Sequence, residues 1–332
     1  MTIDKDLLQE KLTQLLNKYG VRENDARIAA KVLIEGDLRN YLQHGVDRIF
    51  QILEGLKQGT IDPKAEAKLL VDLASVAVID GNFGLGYSSG KHAMELAVEK
   101  AKITGVGVVG VINSSHLGIL AYYSEIASKR GCIGVVMSTT SPAVVIKGGS
   151  TKTFGTNPIS YSIPHAPYPV TADFATSKVS RGVIYDHLKK GKEIPLGWAV
   201  DAKGQDTCDP KEALEGGLTT IDGDIKGSLL SFWISIMAGN LIRGVSNHYV
   251  TGTRYMDKKP NKGDLFMAFD IESFTDQQIF DDGLNKFLEF INNQNVDFHT
   301  PGERDFRLRE QNLQNGIAIS KELAALLEKE QL

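Results

Sequence analysis

Between about residues 69 and 175 the chain alternates between short β-branched runs and helical stretches. The runs are Val76–Ile79, Val106–Ile112, Ile133–Met137, Pro158–Ile163 and Val170–Phe174, and the stretches at Lys91–Lys102 and Leu120–Arg130 separate them. Runs of that length bounded by helical patterns predict an α/β or α+β core. Helices flank it. Leu7, Leu8, Leu12, Leu15 and Leu16 share one helical stripe, Gly20 ends it, and Arg22-Glu-Asn-Asp opens a second helix carrying Ala29, Val32 and Leu33. A further helix runs to about Leu56. After a loop-rich segment at 176–225 come an apolar helix at 228–242, a strand at Leu265–Ile271, a helix at about 276–292 and a charged terminal helix. A length of 332 residues fits about two domains. The expected division is a helical domain from 1–75 with 276–332, and an α/β core at 76–275.

Several function classes drop out. Lys and Arg number 37 against 41 Asp and Glu, so no basic excess exists to neutralise a nucleic acid. Cys132 and Cys208 match neither a disulfide framework nor a zinc pattern, which fits a reducing compartment. The opening MTIDKDLLQEKL lacks the apolar stretch of a secretory signal. The most membrane-like segment, 226–243, reads as shorter than the ~18 apolar residues a span requires. It contains Ser228, Ser231, Ser235 and Asn240, so a buried core helix is expected in a soluble, cytoplasmic protein with no membrane partner.

Gly84-Leu85-Gly86 follows a strand and precedes a helix, where a dinucleotide fingerprint would sit. Ser89 occupies the third glycine position, and the next strand ends in Asn113 rather than an acid, so a structural turn is expected. The seven histidines form no metal-ligand spacing, and no metal is expected. His44 and Arg48 lie four residues apart, which would put an acid/base and a carboxylate clamp on one face of a helical turn. His116 follows an apolar strand in Asn113-Ser-Ser-His-Leu-Gly118, a common place for ligand-facing residues. Gly155-Thr156-Asn157-Pro158 offers polar groups at a tight turn, Asp173-Phe-Ala-Thr-Ser177 ends a strand in small polar residues, and Lys226-Gly227-Ser228 opens a helix whose N–H groups favour anions. Taken singly, each is more readily a cap, a turn or a structural histidine.

In combination these segments resemble the malate/L-lactate dehydrogenase family of NAD(P)-dependent oxidoreductases. The stretches are GDLRNYLQHGVDRI, GVGVVGVINSSHLGILAYYSEIASKRGCIGVVMS, GGSTKTFGTNPISYSIP, ADFATSKVSRGVIYDHLKKGKEIPLGWAVDAKG and PGERDFRLREQNLQNGIAIS, running from about residue 36 to 320. Length and the PGE-type ending look most like the 2,3-diketo-L-gulonate reductase branch. The resemblance implies a nicotinamide-binding sheet domain that is not Rossmann-type, a helical substrate and dimerisation domain, a homodimer, and a small 2-hydroxy or 2-oxo acid substrate. It implies His44 as acid/base, assisted by His116, with Arg48, Gln43, Thr156 and Asn157 as substrate contacts. Cofactor contacts are implied at Asp173, Phe174, Ala175, Thr176, Ser177, Ile225, Lys226, Gly302, Glu303 and Arg304.

Two departures stand out. Gln43 replaces the family's usual Ser before His-Gly, and Asp222 and Asp224 bring negative charge into the run 221–227. Those acids favour NADH (NAD) over the phosphate-bearing NADPH (NADP). They also leave open a family member that binds or regulates rather than catalyses, and a cyclic-imine reductase. An α/β hydrolase ranks last, since no G-x-S-x-G elbow is present.

Overall fold

The computed structural model describes residues 2–252, 257–294 and 298–332. Its elements are, in order, β1 (Thr2–Ile3), α1 (Lys5–Lys18), α2 (Glu23–Leu38), α3 (Ile49–Lys57), β2 (Lys68–Asp72), β3 (Val76–Asp80), α4 (Gly86–Thr104), β4 (Val106–Ser114), α5 (Ala121–Ser128) and β5 (Cys132–Ser138). They continue with β6 (Val144–Val145), β7 (Lys152–Phe154), β8 (Ile159–Ile163), β9 (Val170–Phe174), α6 (Arg181–Lys189), β10 (Ala199–Val200), α7 (Pro210–Glu215) and β11 (Gly217–Leu218). The last are α8 (Ile225–Met237), β12 (Lys262–Asp270), α9 (Gln277–Asn292), α10 (Glu303–Asn315), β13 (Ile317–Ala318) and α11 (Lys321–Lys329).

The main sheet has seven strands in the order β2-β3-β4-β12-β5-β8-β9, and only β3 and β4 run parallel. A doubly wound nucleotide fold has a mostly parallel sheet. The mixed α/β, non-Rossmann class expected from the sequence is the one observed. The β-branched runs supply this sheet because residues on both faces are covered. Ala93, Met94, Ala97 and Ala101 of α4, with Tyr123 and Ala127 of α5, pack against Val109, Val111, Val136 and Phe266 on one side. Ile234, Ala238 and Ile242 pack against Ile112, Met137 and Leu265 on the other.

The two chain ends share a separate core. Leu8, Leu12, Leu15 and Leu16 of α1 meet Ala29, Val32 and Leu33 of α2, Ile49 and Leu53 of α3, and Leu323 and Leu327 of α11. β1 pairs with β13, tying the first residues to the last. Residues 68–72, ahead of residue 75, pair with β3 as the edge of the main sheet. The segment 176–225 is not only loop. It holds α6, α7 and two short strands of a four-stranded sheet, β10-β11-β6-β7, around Val144, Phe154, Ile184 and Leu218. The charged terminal helix is two helices, divided by Gly316 at φ 79°.

Ile225–Ile242 reaches 18 residues at a mean hydropathy of 1.4, so it is longer than the sequence alone indicates. The α-helix proper stops at Met237, and a 3-10 turn completes the run. The helix carries an outward apolar stripe of Leu229, Phe232, Trp233 and Ile236.

A buried ion network joins the units. The Arg39 guanidinium, 5% exposed, donates to both Glu125 oxygens (2.5 and 2.9 Å) and to Glu35 (3.3 Å). Arg309 of α10 donates two 2.8 Å bonds to the same Glu35. Removing one member of such a set leaves buried charge without compensation. Arg39→Met should therefore lower unfolding stability by about 3–5 kcal/mol in urea titration; a loss under about 1 kcal/mol would show that the network holds nothing together.

Candidate active site

Where strands end, the cleft begins. The C-terminal ends of β4, β5 and β9 and the first residue of β12 open on one cleft of about 980 Å³. Its wall includes Gln43, His44, Arg48, His116, Thr140, Thr156, Asp173–Ala175, Ser177–Val183 and Lys262. A volume of that order takes a drug-sized ligand with room to spare.

The His44 turn is shaped by α2. Gly36 lets this helix approach closely, since a Cβ there would lie 2.7 Å from the His44 carbonyl oxygen. One residue on, the Val46 N–H donates to Asp37 Oδ2 (2.6 Å). Burial and the neighbouring Asp47 push the Asp37 carboxyl up to about 7. His44 and Arg48 occupy two consecutive 3-10 turns rather than one α-helical turn, yet both line the cleft. The Arg48 guanidinium is fixed by donating from Nε to the Gln43 carbonyl (2.6 Å) and from Nη1 to Gln51 Oε1 (2.5 Å).

The His116 loop explains Gly86. A Cβ on Gly86 would sit 2.4 Å from the Ser115 carbonyl and 2.6 Å from that of His116. The Gly86 N–H donates to Ser115 Oγ (2.9 Å). Gly86 admits the loop that carries a histidine, and Gly84 packs closely on Ala65.

The two imidazoles stack, with ring centroids 5.3 Å apart and planes 23° from parallel. His116 Nδ1 accepts from the Gly118 N–H (2.8 Å), which leaves its neutral ring protonated at Nε2. Burial, then Arg48, His44 and Lys262, hold it well below the usual histidine range. Burial and the Arg48 charge bring His44 from 6.5 to about 4. Both rings are therefore neutral at pH 7. His44 Nδ1 and the neighbouring Tyr87 hydroxyl are buried with no hydrogen-bond partner among the described residues. Burial lowers the Arg48 value as well.

Several expected residues lie elsewhere. Asn157 is fully buried behind the cleft, at φ 30°, and its amide donates to Ser231 O, Ser235 Oγ and Asn247 Oδ1, so it fastens the turn instead of facing a substrate. Thr176 is likewise buried and donates to the Thr156 carbonyl (3.1 Å). Ile225 and Lys226 begin α8 outside the cleft wall. The anion-attracting amides expected there are already met. Asp224 Oδ1 accepts from Ile225 N–H (2.8 Å), and both Asp222 oxygens accept from Gly227 N–H (3.1 Å). Gly302, Glu303 and Arg304 open α10 and do not line the cleft; Glu303 pairs with Arg307 (2.6 Å).

Asp173 does line the cleft. It accepts from Ala121 N–H (2.9 Å) at the start of α5, while burial raises its carboxyl to about 6. Gln43 accepts from Ser180 Oγ (2.6 Å), closing the wall with the residue that caps α6. Sequence reasoning passed over Lys262 and Asp264, because the strand was begun at Leu265. The signal was available: a lysine and an aspartate two apart fall on one face of a strand.

These residues fit a nicotinamide dinucleotide with a small acid. Asp173, Phe174, Ala175 and Ser177 form one wall of the cleft, and two lining residues, His44 at Nδ1 and Arg181 at Nε, carry buried polar atoms with no partner among the described residues. Comparison with known proteins agrees. Residues 3–328 match the family model described as malate/L-lactate dehydrogenase. The malate/(S)-sulfolactate dehydrogenase of Methanothermus fervidus is 38% identical over 99% of this chain and 97% of that protein. The delta(1)-pyrroline-2-carboxylate reductase 1 of Burkholderia ambifaria is 32% identical over 93% and 92% of the two chains. The solved sulfolactate dehydrogenase from Methanocaldococcus jannaschii superposes with a TM-score of 0.92 at 36% identity, covering 99% and 96% of the two chains.

Neutrality of both rings is directly measurable. In the unliganded protein, nitrogen NMR of the imidazoles should show His116 as the Nε2–H tautomer and neither ring titrating between about pH 5.5 and 8. A midpoint near the ordinary 6.5 for either ring would contradict this geometry.

Proposed function

The chain belongs to the malate/L-lactate dehydrogenase family, and we propose that it interconverts a small 2-hydroxy acid and its 2-oxo acid using a nicotinamide dinucleotide. The observation that carries this is the stacked, neutral histidine pair beside a fixed guanidinium in one cleft. When bound, the dinucleotide supplies or accepts hydride at the carbon bearing the oxygen.

The chain's own residues do the rest. Arg48 receives the substrate carboxylate as a planar, two-donor partner and fixes which face of the carbonyl is presented. His116, with Nδ1 committed to Gly118, can only donate from Nε2, so it orients the substrate oxygen. His44 exchanges the proton. As a neutral ring it is ready to take the hydroxyl proton during oxidation. For reduction it must first be protonated. Burial is the larger cause that holds His44 down and the Arg48 charge the smaller; a carboxylate on Arg48 offsets the second and adds its own attraction for a proton on His44, which favours proton uptake with the anion.

NADH is the proposed cofactor. Asp222 is held below the usual carboxylate range, first by the Asp224 N–H and then by that of Gly227, so it stays ionised beside Ile221 on the cleft wall and disfavours an added phosphate. A second reading, NADPH, rests on Arg181, a guanidinium on the same wall whose Nε lacks a partner. The proposed assembly is a homodimer that covers the apolar stripe of α8. Two unpaired cysteines support a reducing, cytoplasmic setting.

A panel of 2-oxo acids and cyclic imino acids with NADH and NADPH tests the reading through nicotinamide absorbance. Turnover of a 2-oxo acid with kcat/KM favouring NADH is expected; turnover of imines alone, or of nothing, would overturn it. His44→Asn should lower kcat by about 10²-fold with NADH binding little changed. If His116→Ala is inactive while His44→Asn is nearly normal, the roles are reversed. Arg48→Lys should raise KM for the acid far more than KM for NADH. Unchanged kinetics would reduce Arg48 to a structural residue.

A further inference from the structure

Behind the cleft wall, a buried carboxamide holds a strained turn. Asn247, 5% exposed, opens the 3-10 turn Asn247–Tyr249 and does not itself line the cleft. Its Oδ1 accepts from Asn157 Nδ2 (2.6 Å), from Ser235 Oγ of α8 (2.7 Å) and from the Gly155 N–H (3.4 Å). Its Nδ2 donates to the Thr140 carbonyl (2.8 Å). One side chain thus ties together the turn 155–157, the segment that follows β5, and α8. A carboxamide suits the place because it donates and accepts at one end.

The turn needs that restraint. Asn157 stands at φ 30°, whereas a residue ahead of proline is ordinarily driven to a φ of about −120°. Gly155 lies so close to Thr140 that a Cβ there would be 2.2 Å from both the carbonyl and the hydroxyl oxygen of that residue. Backbone in such a state persists where its surroundings over-determine it, and it collects at functional sites. What this turn delivers is a pair of hydroxyls. Thr140 Oγ1 accepts from the Thr156 N–H (2.8 Å) and lies 3.2 Å from Thr156 Oγ1, and both residues line the cleft. The Thr156 carbonyl accepts from the Thr176 N–H (2.9 Å), which sets the pair beside the 173–177 wall.

We propose that Asn247 is a positioning residue for the dinucleotide. It holds the turn on Thr140 so that the paired Thr140 and Thr156 hydroxyls meet polar atoms of the cofactor, and it acts on binding through them alone. This rests on the oxidoreductase reading above and deepens it.

A double-mutant cycle read in cofactor affinity tests this without turnover. NADH and NADPH are titrated by fluorescence into the native protein. The tighter of the two is then titrated into Asn247→Ala, Thr156→Val and the double variant, with Tm recorded for each. Each single variant should raise Kd about 10-fold, the scale of one neutral hydrogen bond. The double variant should stay within about threefold of either single one, because both changes remove the same contact. A residue that only stabilises the fold would lower Tm and leave Kd unchanged. One that acts independently of Thr156 would give losses that multiply to about 10²-fold. Either result would overturn the proposal, as would a normal Kd in Thr156→Val. Should Asn247→Ala not fold, Asn247→Asp keeps the acceptor oxygens and loses the donor to Thr140. It is expected to raise Kd in the same direction, and an unchanged Kd there counts equally against the proposal. If the native protein binds a cofactor and the variants bind it alike, the oxidoreductase reading stands and only the role of Asn247 falls. If the native protein binds neither cofactor, both fall.

Discussion

The strand Lys262–Asp270 enters the sheet from late in the chain, and its two antiparallel ladders hold β4 and β5 one strand apart. Everything at the cleft depends on that insertion. It pairs Lys262 with Ser114 and Asp264 with Ser138, so β4 and β5 end beside the first residues of β12, with β4 reaching further. The loop that follows β4 carries His116, and Thr140 follows β5. Loops after strand ends are where a rigid sheet can aim reactive side chains. From the opposite side the first helices deliver His44 and Arg48 on a turn that Gly36 and Asp37 hold against α2. The site therefore forms between the sheet and the helical unit, and the Arg39 network keeps the two in register by joining α2, α5 and α10.

Charge then decides chemistry. Two imidazoles buried beside a guanidinium and an ammonium cannot also be cations, so they rest neutral. Such a pocket has an excess of fixed positive charge and attracts organic anions before any proton moves. Under the proposed mechanism, binding the anion relieves one of the two causes that keep His44 unprotonated, the Arg48 charge, while burial remains. Recognition and protonation are then coupled, which ties the identity of the substrate to its reactivity.

Much of this was legible in the sequence. Period and β-branching mark the strands of the main sheet, and the polar cluster at 37–48 is visible as an interruption of helical pattern. His44, Arg48 and His116 could be picked out by residue type and by the segments around them. What could not be read is where side chains turn. Asn157 looks like a ligand contact, but its φ of 30° and three backbone and side-chain acceptors turn it inward. Asp222 and Asp224 read as free charges, yet their oxygens accept from the first amides of α8, and the neighbour of Asp222 that lines the cleft is Ile221. Gly302 to Arg304 match a familiar segment but are not among the residues that line the cleft. Lys262 stayed hidden because a charged residue at the head of an apolar strand reads as loop. Its burial is a product of strand order, which sequence spacing does not encode.

Coupled protonation is the central claim, and it can be counted. Calorimetric titration of oxamate, an inert 2-oxo acid analogue, into the enzyme with NADH, repeated in buffers of different ionisation enthalpy, reports the protons exchanged on binding. At pH 7 the account predicts net proton uptake on binding, lost in His44→Asn. Tight binding with no proton exchange would mean that the acid is already charged, or lies elsewhere, and would contradict it.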